Sequence, residues 1–115
     1  MSTEFGDALR QCRRNAGVSQ RKLAELANLD FSYISKLENG RLPPPAANTL
    51  VLICKILNIA PETLLALTGK LPSEVQENVS TSRSAQMFLR EAQQMNLTDE
   101  EWDRITHSLK ELRDR

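Results

Sequence analysis

The chain has 115 residues, with 15 Lys/Arg against 15 Asp/Glu, one histidine and two cysteines. That length suits one compact domain with an appendage, able to bury about two-thirds of its unfolded surface without metals or disulfides. Cys12 and Cys54 stand alone on apolar faces and read as buried thiols rather than a disulfide or zinc site. No stretch is long and apolar enough for a membrane span and no signal peptide is evident, so a cytoplasmic protein is expected.

Residues 4–15 form the first predicted helix, with Phe5, Ala8, Leu9 and Cys12 at helical spacing and Arg10, Arg13 and Arg14 among them. Arg10 and Arg14 suit either phosphate contacts or a solvated face. Gly17 closes this helix, and Ser19 is placed to cap a second one. There, Leu23, Leu26 and Ala27 are spaced for a core face, and small Ala24 permits close approach. Asn28 falls in the turn, where asparagine tolerates a left-handed backbone. Leu29 plugs the corner, and Asp30 is positioned to cap a helix over 31–38 that Asn39-Gly40 ends.

These two short helices, joined by a tight turn, have the outline of a helix-turn-helix. Projected at ~100° per residue, Ile34 and Leu37 fall together toward the core. Ser32, Ser35 and Lys36 occupy the opposite arc, with Phe31 and Tyr33 at its margins. Such an arc suits base edges and phosphates in a DNA major groove, or is an ordinary solvated face. Charge is divided along the chain: residues 1–58 hold 8 Lys/Arg against 5 Asp/Glu, and residues 59–115 hold 7 against 10. A neutral chain of this kind would grip DNA through local phosphate contacts.

Residues 41–45, Arg-Leu-Pro-Pro-Pro, must be extended. A fourth helix is predicted over 46–57, with Leu50, Ile53, Cys54 and Leu57 inward, and a fifth from Pro61 to Gly69 carrying Leu64, Leu65 and Leu67. Beyond Gly69 the composition shifts. A short helix over 72–79 and a polar link over 80–84 precede an amphipathic helix with Ala85, Phe88, Leu89, Ala92 and Met95, stopped at Asn96. Thr98 to Glu101 reads as a capping box for a last helix, along which Trp102, Ile105, Leu109 and Leu112 form one stripe. Two such helices cannot bury both stripes on each other. They must dock on the domain, on another chain or on both; Phe88, Leu89, Trp102, Ile105, Leu109 and Leu112 are expected to serve dimerisation or regulation, with an intramolecular lid as the alternative.

Residues 5–69 resemble the DNA-binding domain of the phage-repressor and Cro-like (XRE) helix-turn-helix family. The likeness is carried by Leu9-Arg10-x-x-Arg13, Gly17-Val18-Ser19-Gln20, Leu23-Ala24, Ile34 to Arg41, Thr49-Leu50 and Leu57-Asn58-Ile59. It implies an all-α fold, a five-helix lambda-repressor-like domain over 1–69, to which the helical patterns read beyond Gly69 add a small helical C-terminal extension over 70–115. It further implies that Gln20 contacts a base or phosphate, that Phe31, Ser32, Ser35 and Lys36 approach bases, and that Tyr33, Asn39 and Arg41 grip the backbone. Arg13 would pair with Glu38, bracing the first helix against the third. The sequence departs from the family pattern at Asn28, where glycine is frequent, and at Phe31, where polar residues are. Phe31 suits contact with a thymine methyl group or packing against its own domain. The tail, from its Gly-Lys-Leu-Pro start to its acidic-capped last helix, loosely resembles that of repressors inactivated by a metallopeptidase.

Catalysis has little support. His107 lies on the exposed side of the last helix, there is no glycine-rich phosphate loop, and the serine-lysine β-domain of self-cleaving repressors has no room here. The expectation is a non-enzymatic, cofactor-free bacterial or phage protein. It would be a dimeric repressor on a double-stranded DNA operator, with a regulatory peptidase or other protein acting on residues 70–115. An antitoxin or restriction-controller type autoregulator, or an interaction module that has lost DNA binding, are the alternatives.

Overall fold

The computed structural model describes residues 3–114. Among them every regular element is helical: α1 (Glu4–Asn15), α2 (Gln20–Ala27), α3 (Phe31–Glu38), α4 (Ala47–Leu57), α5 (Glu62–Leu65), α6 (Ser73–Ser80), α7 (Arg83–Met95) and α8 (Asp99–Glu111). The chain divides into two compact units, Met1–Gln76 and Glu77–Arg115.

The core of the first unit draws one or more residues from each of α1 to α5. Leu9, Leu23, Ile34, Leu37, Leu50, Ile53 and Leu64 are fully buried, and Cys54 lies among them. Each such side chain contributes about 1.5–3 kcal/mol by leaving water, which offsets the weak intrinsic stability of helices as short as α2 and α3. Burial pushes the Cys54 thiol up to about 11, leaving it an inert core residue. Cys12 is half-buried.

Local backbone chemistry sets the helix ends. Thr3 Oγ1 accepts from Gly6 N at 2.9 Å, and Ser19 Oγ accepts from Lys22 N at 3.0 Å. Both supply acceptors for amides the helix leaves unpaired. Asn28 and Asn58 adopt left-handed φ values of 55° and 57°. In each case the next residue folds back: Leu29 N donates to Ala24 O at 2.8 Å, and Ile59 N to Cys54 O at 2.9 Å. This Schellman-type closure tucks Leu29 and Ile59 against the core. Gly6 allows α1 to cross the end of α3. A Cβ there would stand 2.6 Å from Glu38 O and 2.8 Å from Leu37 O.

Several details differ from expectation. Leu26 is 52% exposed. Leu23, Ala27 and Ala24 already span the arc that faces the core, and Leu26 lies ~60° outside it on the Leu23 side. Asp30 occupies the N-cap position of α3 without a side-chain cap bond; its carboxylate accepts instead from Ser32 Oγ at 3.2 Å. Pro61 precedes α5 rather than opening it, α5 is four residues long, and Leu67 is exposed. Residues 70–76, expected with the tail, fall in the first unit. Lys70 Nζ donates to the carbonyls of Pro44 and Pro45, each at 3.0 Å, and Asn48 bonds Ser73 at 3.0 Å.

The second unit contains α7 and α8. The polar stretch 80–84 is not a linker: only Thr81 and Ser82 separate α6 from α7, and Ser82 Oγ caps α7 through Ala85 N at 3.1 Å. Asn96, at φ 51°, ends α7. Thr98 and Glu101 form a reciprocal capping box for α8, whose hydrogen bonds hold the Glu101 carboxyl below its usual range. Phe88 and Trp102 meet edge to face, with ring centroids 6.5 Å apart. Ala92 is the buried hydrophobic residue of this unit, whereas Met87, Phe88, Leu89, Met95, Trp102, Leu109 and Leu112 are exposed. Ile105 is half-buried.

Candidate nucleic-acid interface

α2 and α3 are each two turns long, and the αL turn at Asn28 joins them. α3 buries Ile34, Leu37 and Glu38. Its other arc presents Phe31 and Lys36 as exposed residues, with Ser32 and Ser35 partly exposed. Tyr33 is half-buried and packs against the core; burial pushes its phenol up. Arg14 and Arg41 are exposed. Among the described residues, no group of three or more His, Cys, Asp or Glu side chains is placed to hold a metal.

The arrangement turns on Glu38, a fully buried carboxylate. Arg13 Nε donates to Oε2 at 2.6 Å, and Arg13 Nη2 to Oε1 at 3.0 Å. Gln20 Nε2 donates to the same Oε1 at 3.0 Å, and Arg10 Nε at 3.3 Å. Arg13 Nη1 also donates to Val18 O at 2.9 Å, securing the turn between α1 and α2. Burial works to raise the Glu38 pKa, but hydrogen bonds from Arg13, Gln20 and Arg10 and the charge of Arg13 together lower it below the usual carboxylate value. A charge this deep is tolerated because its oxygens are multiply paired. One carboxylate thus joins α1, α2 and the end of α3, and holds α3 at a fixed angle to the domain.

Three residues expected to face DNA are drawn into this network. Gln20 turns its amide onto Glu38. Arg10 is half-buried and turned into the domain: besides Glu38 Oε1, its Nη2 donates to Asn39 Oδ1 at 2.7 Å and to Glu38 O at 3.4 Å. Asn39 Nδ2 in turn donates to Ser35 Oγ at 3.3 Å. The physical reason is the buried charge, which recruits donors from every adjacent element.

Arg21 was not singled out in the sequence. Its guanidinium lies 4.8 Å from the centroid of the Phe31 ring, a cation–π distance. Phe31 is 46% exposed, so it is neither packed into the domain nor left bare. The two residues lie ten positions apart on different helices, a pairing that no periodicity exposes.

A family model described as a helix-turn-helix domain matches residues 4–67. An uncharacterised helix-turn-helix-type transcriptional regulator of Bacillus subtilis, RghRB, is 32% identical over 76 residues, which is 64% of this chain and 55% of that protein. One of Mycobacterium tuberculosis is 38% identical over 73 residues, 63% of this chain and 51% of its own. The chain therefore spans about half the length of the curated relatives it matches. Among solved structures, SinR, described as the master regulator for biofilm formation and solved in complex with DNA, aligns with TM-score 0.50 and 31% identity. That alignment covers 53% of this chain and 97% of SinR. The clp gene regulator ClgR of Corynebacterium glutamicum aligns with TM-score 0.50 and 26% identity over 80% of this chain and 88% of its own. A chain of a SinR–SinI complex is alike in fold, with TM-score 0.52 and 20% identity, over 96% of this chain and 99% of its own.

Proposed function

This chain belongs to the helix-turn-helix domain family, and we propose that it is a sequence-specific transcriptional regulator that binds double-stranded DNA as a homodimer and represses by occluding polymerase. The observation that carries this reading is the division of α3. One face is locked into the domain by Ile34, Leu37 and the multiply bonded Glu38. The other offers Phe31, Ser32, Ser35 and Lys36 outward. The resemblance to a SinR structure solved with DNA supports the same reading.

In this reading α3 enters the major groove. Ser32, Ser35 and Lys36 meet base edges, Phe31 meets a thymine methyl with Arg21 over its ring, and Arg14 and Arg41 meet phosphates. Tyr33, Asn39 and Gln20 act at the margins, Asn39 and Gln20 chiefly by holding their neighbours. Two protomers would reach half-sites ~34 Å apart or a multiple of it. The exposed stripe of Phe88, Leu89, Trp102, Leu109 and Leu112 is the surface we assign to pairing. Such a protein would act in the cytoplasm. A regulatory peptidase acting on this tail would need non-helical backbone, which residues 70–72, 81–82 and 96–98 supply.

The test is selection of bound sequences from a random double-stranded DNA pool, with the protein's mass in solution measured alongside. A two-part motif with regular half-site spacing and a mass of twice 13.0 kDa are expected. A pool that enriches no motif would overturn the reading.

A further inference from the structure

We infer that Arg10 is a positioning residue for base recognition: acting through Asn39, it presents the Ser35 hydroxyl to the groove as a hydrogen-bond donor. This rests on the DNA-binding reading above.

Three groups stand in one chain of hydrogen bonds. Arg10 Nη2 donates to Asn39 Oδ1 at 2.7 Å. That bond orients the amide, because a guanidinium only donates and must face the carbonyl oxygen. The Asn39 Nδ2 is thereby turned to Ser35 Oγ, to which it donates at 3.3 Å. Every bond in the chain runs the same way, from a cation outward. Head-to-tail chains polarise each successive group, so a hydroxyl that accepts at the end of one is strengthened as a donor and weakened as an acceptor. A helical serine usually has another use for its proton, the carbonyl four residues earlier. Thr106 makes that bond to Trp102 O at 3.0 Å, whereas among the described residues Ser35 donates to no protein group. Ser35 itself is partly exposed on the outward arc of α3.

A donor in the major groove distinguishes bases by their acceptors. Adenine and guanine offer N7, guanine adds O6 and thymine O4, while cytosine presents the N4 amino donor. The base facing Ser35 should therefore tolerate adenine, guanine or thymine and reject cytosine. Serine alone carries no such code, since its hydroxyl both donates and accepts; the discrimination comes from Arg10 and Asn39, neither of which needs to touch that base.

The experiment is the same selection from a random DNA pool with four full-length proteins: wild type, Ser35→Ala, Arg10→Met and Asn39→Asp. Ser35→Ala identifies the base pair concerned as the one whose preference disappears. Arg10→Met, which keeps much of the stem but no donor, should reduce cytosine exclusion there by roughly tenfold, the scale of one mismatched base. Asn39→Asp reverses the chain, because a carboxylate accepts from Ser35 and turns an oxygen lone pair to the groove. Cytosine should then rise at that position by roughly tenfold relative to thymine, whatever the overall loss of affinity. Asn39 lies outside the core, so Asn39→Asp tests the idea even if Arg10→Met folds poorly. A wild-type motif that Arg10→Met and Asn39→Asp leave unchanged would overturn the positioning role and spare the DNA reading. Failure of the wild type to enrich any motif would overturn both.

Discussion

Replacing Arg13 with Met removes the guanidinium and keeps most of the apolar stem. Glu38 then loses its shortest bond, 2.6 Å to Oε2, and a second of 3.0 Å to Oε1. Gln20 and Arg10 still donate, both to Oε1, so Oε2 is left in the core without a donor. Bonds to charged groups contribute about 1.5–3 kcal/mol each, and breaking a buried pair by removing one partner costs about 3–5 kcal/mol. The surviving donors favour the lower half of that range, about 3–4 kcal/mol at neutral pH. For a domain of this size that corresponds to a melting temperature lower by roughly 12 °C or more.

The pH dependence separates this explanation from simple loss of packing. In the wild type the Glu38 pKa is held below the ordinary carboxylate value by the Arg13, Gln20 and Arg10 donors, against the opposing effect of burial. Its contribution is therefore complete above that value and is lost as the pH falls through the folded-state pKa. Without Arg13, burial becomes the dominant influence and raises the pKa, so the variant gains stability as acid neutralises the buried carboxylate. The gap between the two proteins should narrow steadily as the pH falls from neutrality toward the ordinary carboxylate value. Urea titrations followed by circular dichroism at 222 nm, at a series of pH values, would measure it. A loss under about 1 kcal/mol at neutral pH, or one that does not shrink in acid, would refute the reasoning, since surface pairs are worth no more than that.

Gly6→Ala should destabilise by about 1–3 kcal/mol, as overpacking does, because the new Cβ meets backbone oxygens of Leu37 and Glu38 that cannot swing aside; thermal melts that show stabilisation would contradict the tight crossing of α1 and α3. Lys36→Ala should relax base preference, whereas Arg41→Ala should weaken all DNA sites alike and lower the slope of log affinity against log salt by about 1; salt titrations by fluorescence anisotropy on matched and scrambled duplexes would tell them apart. Leu109→Asp changes a residue that is 64% exposed, so folding should persist while the mass in solution falls from dimer to monomer and operator affinity drops by roughly 10²-fold. An unchanged mass would remove the pairing role assigned to this stripe.

Most helix limits could be read along the chain because each depends on a few adjacent residues. Serine and threonine hydroxyls reach amides three positions on, which marks Ser19 and Thr98. Asparagine accepts a left-handed backbone, which marks Asn28 and Asn96. Helical periodicity likewise places Leu9, Ile34, Leu37, Leu50 and Ile53 in the core, since the apolar arc of a helix is a property of the helix alone. Where two helices meet, that information ends. Leu26 has the spacing of a core residue, yet the docking angle of α2 leaves it in water.

The polar site shows the same boundary. The outward arc of α3 was legible as a pattern, and the Arg13–Glu38 pair through family resemblance. The convergence of Arg10, Gln20 and Asn39 around that pair was not, because these groups lie up to 29 residues apart in the chain and meet only once α1, α2 and α3 have packed. Burial strips Glu38 of water, and the need to pair its carboxylate, rather than any local propensity, turns the donors of Arg13, Arg10 and Gln20 toward it.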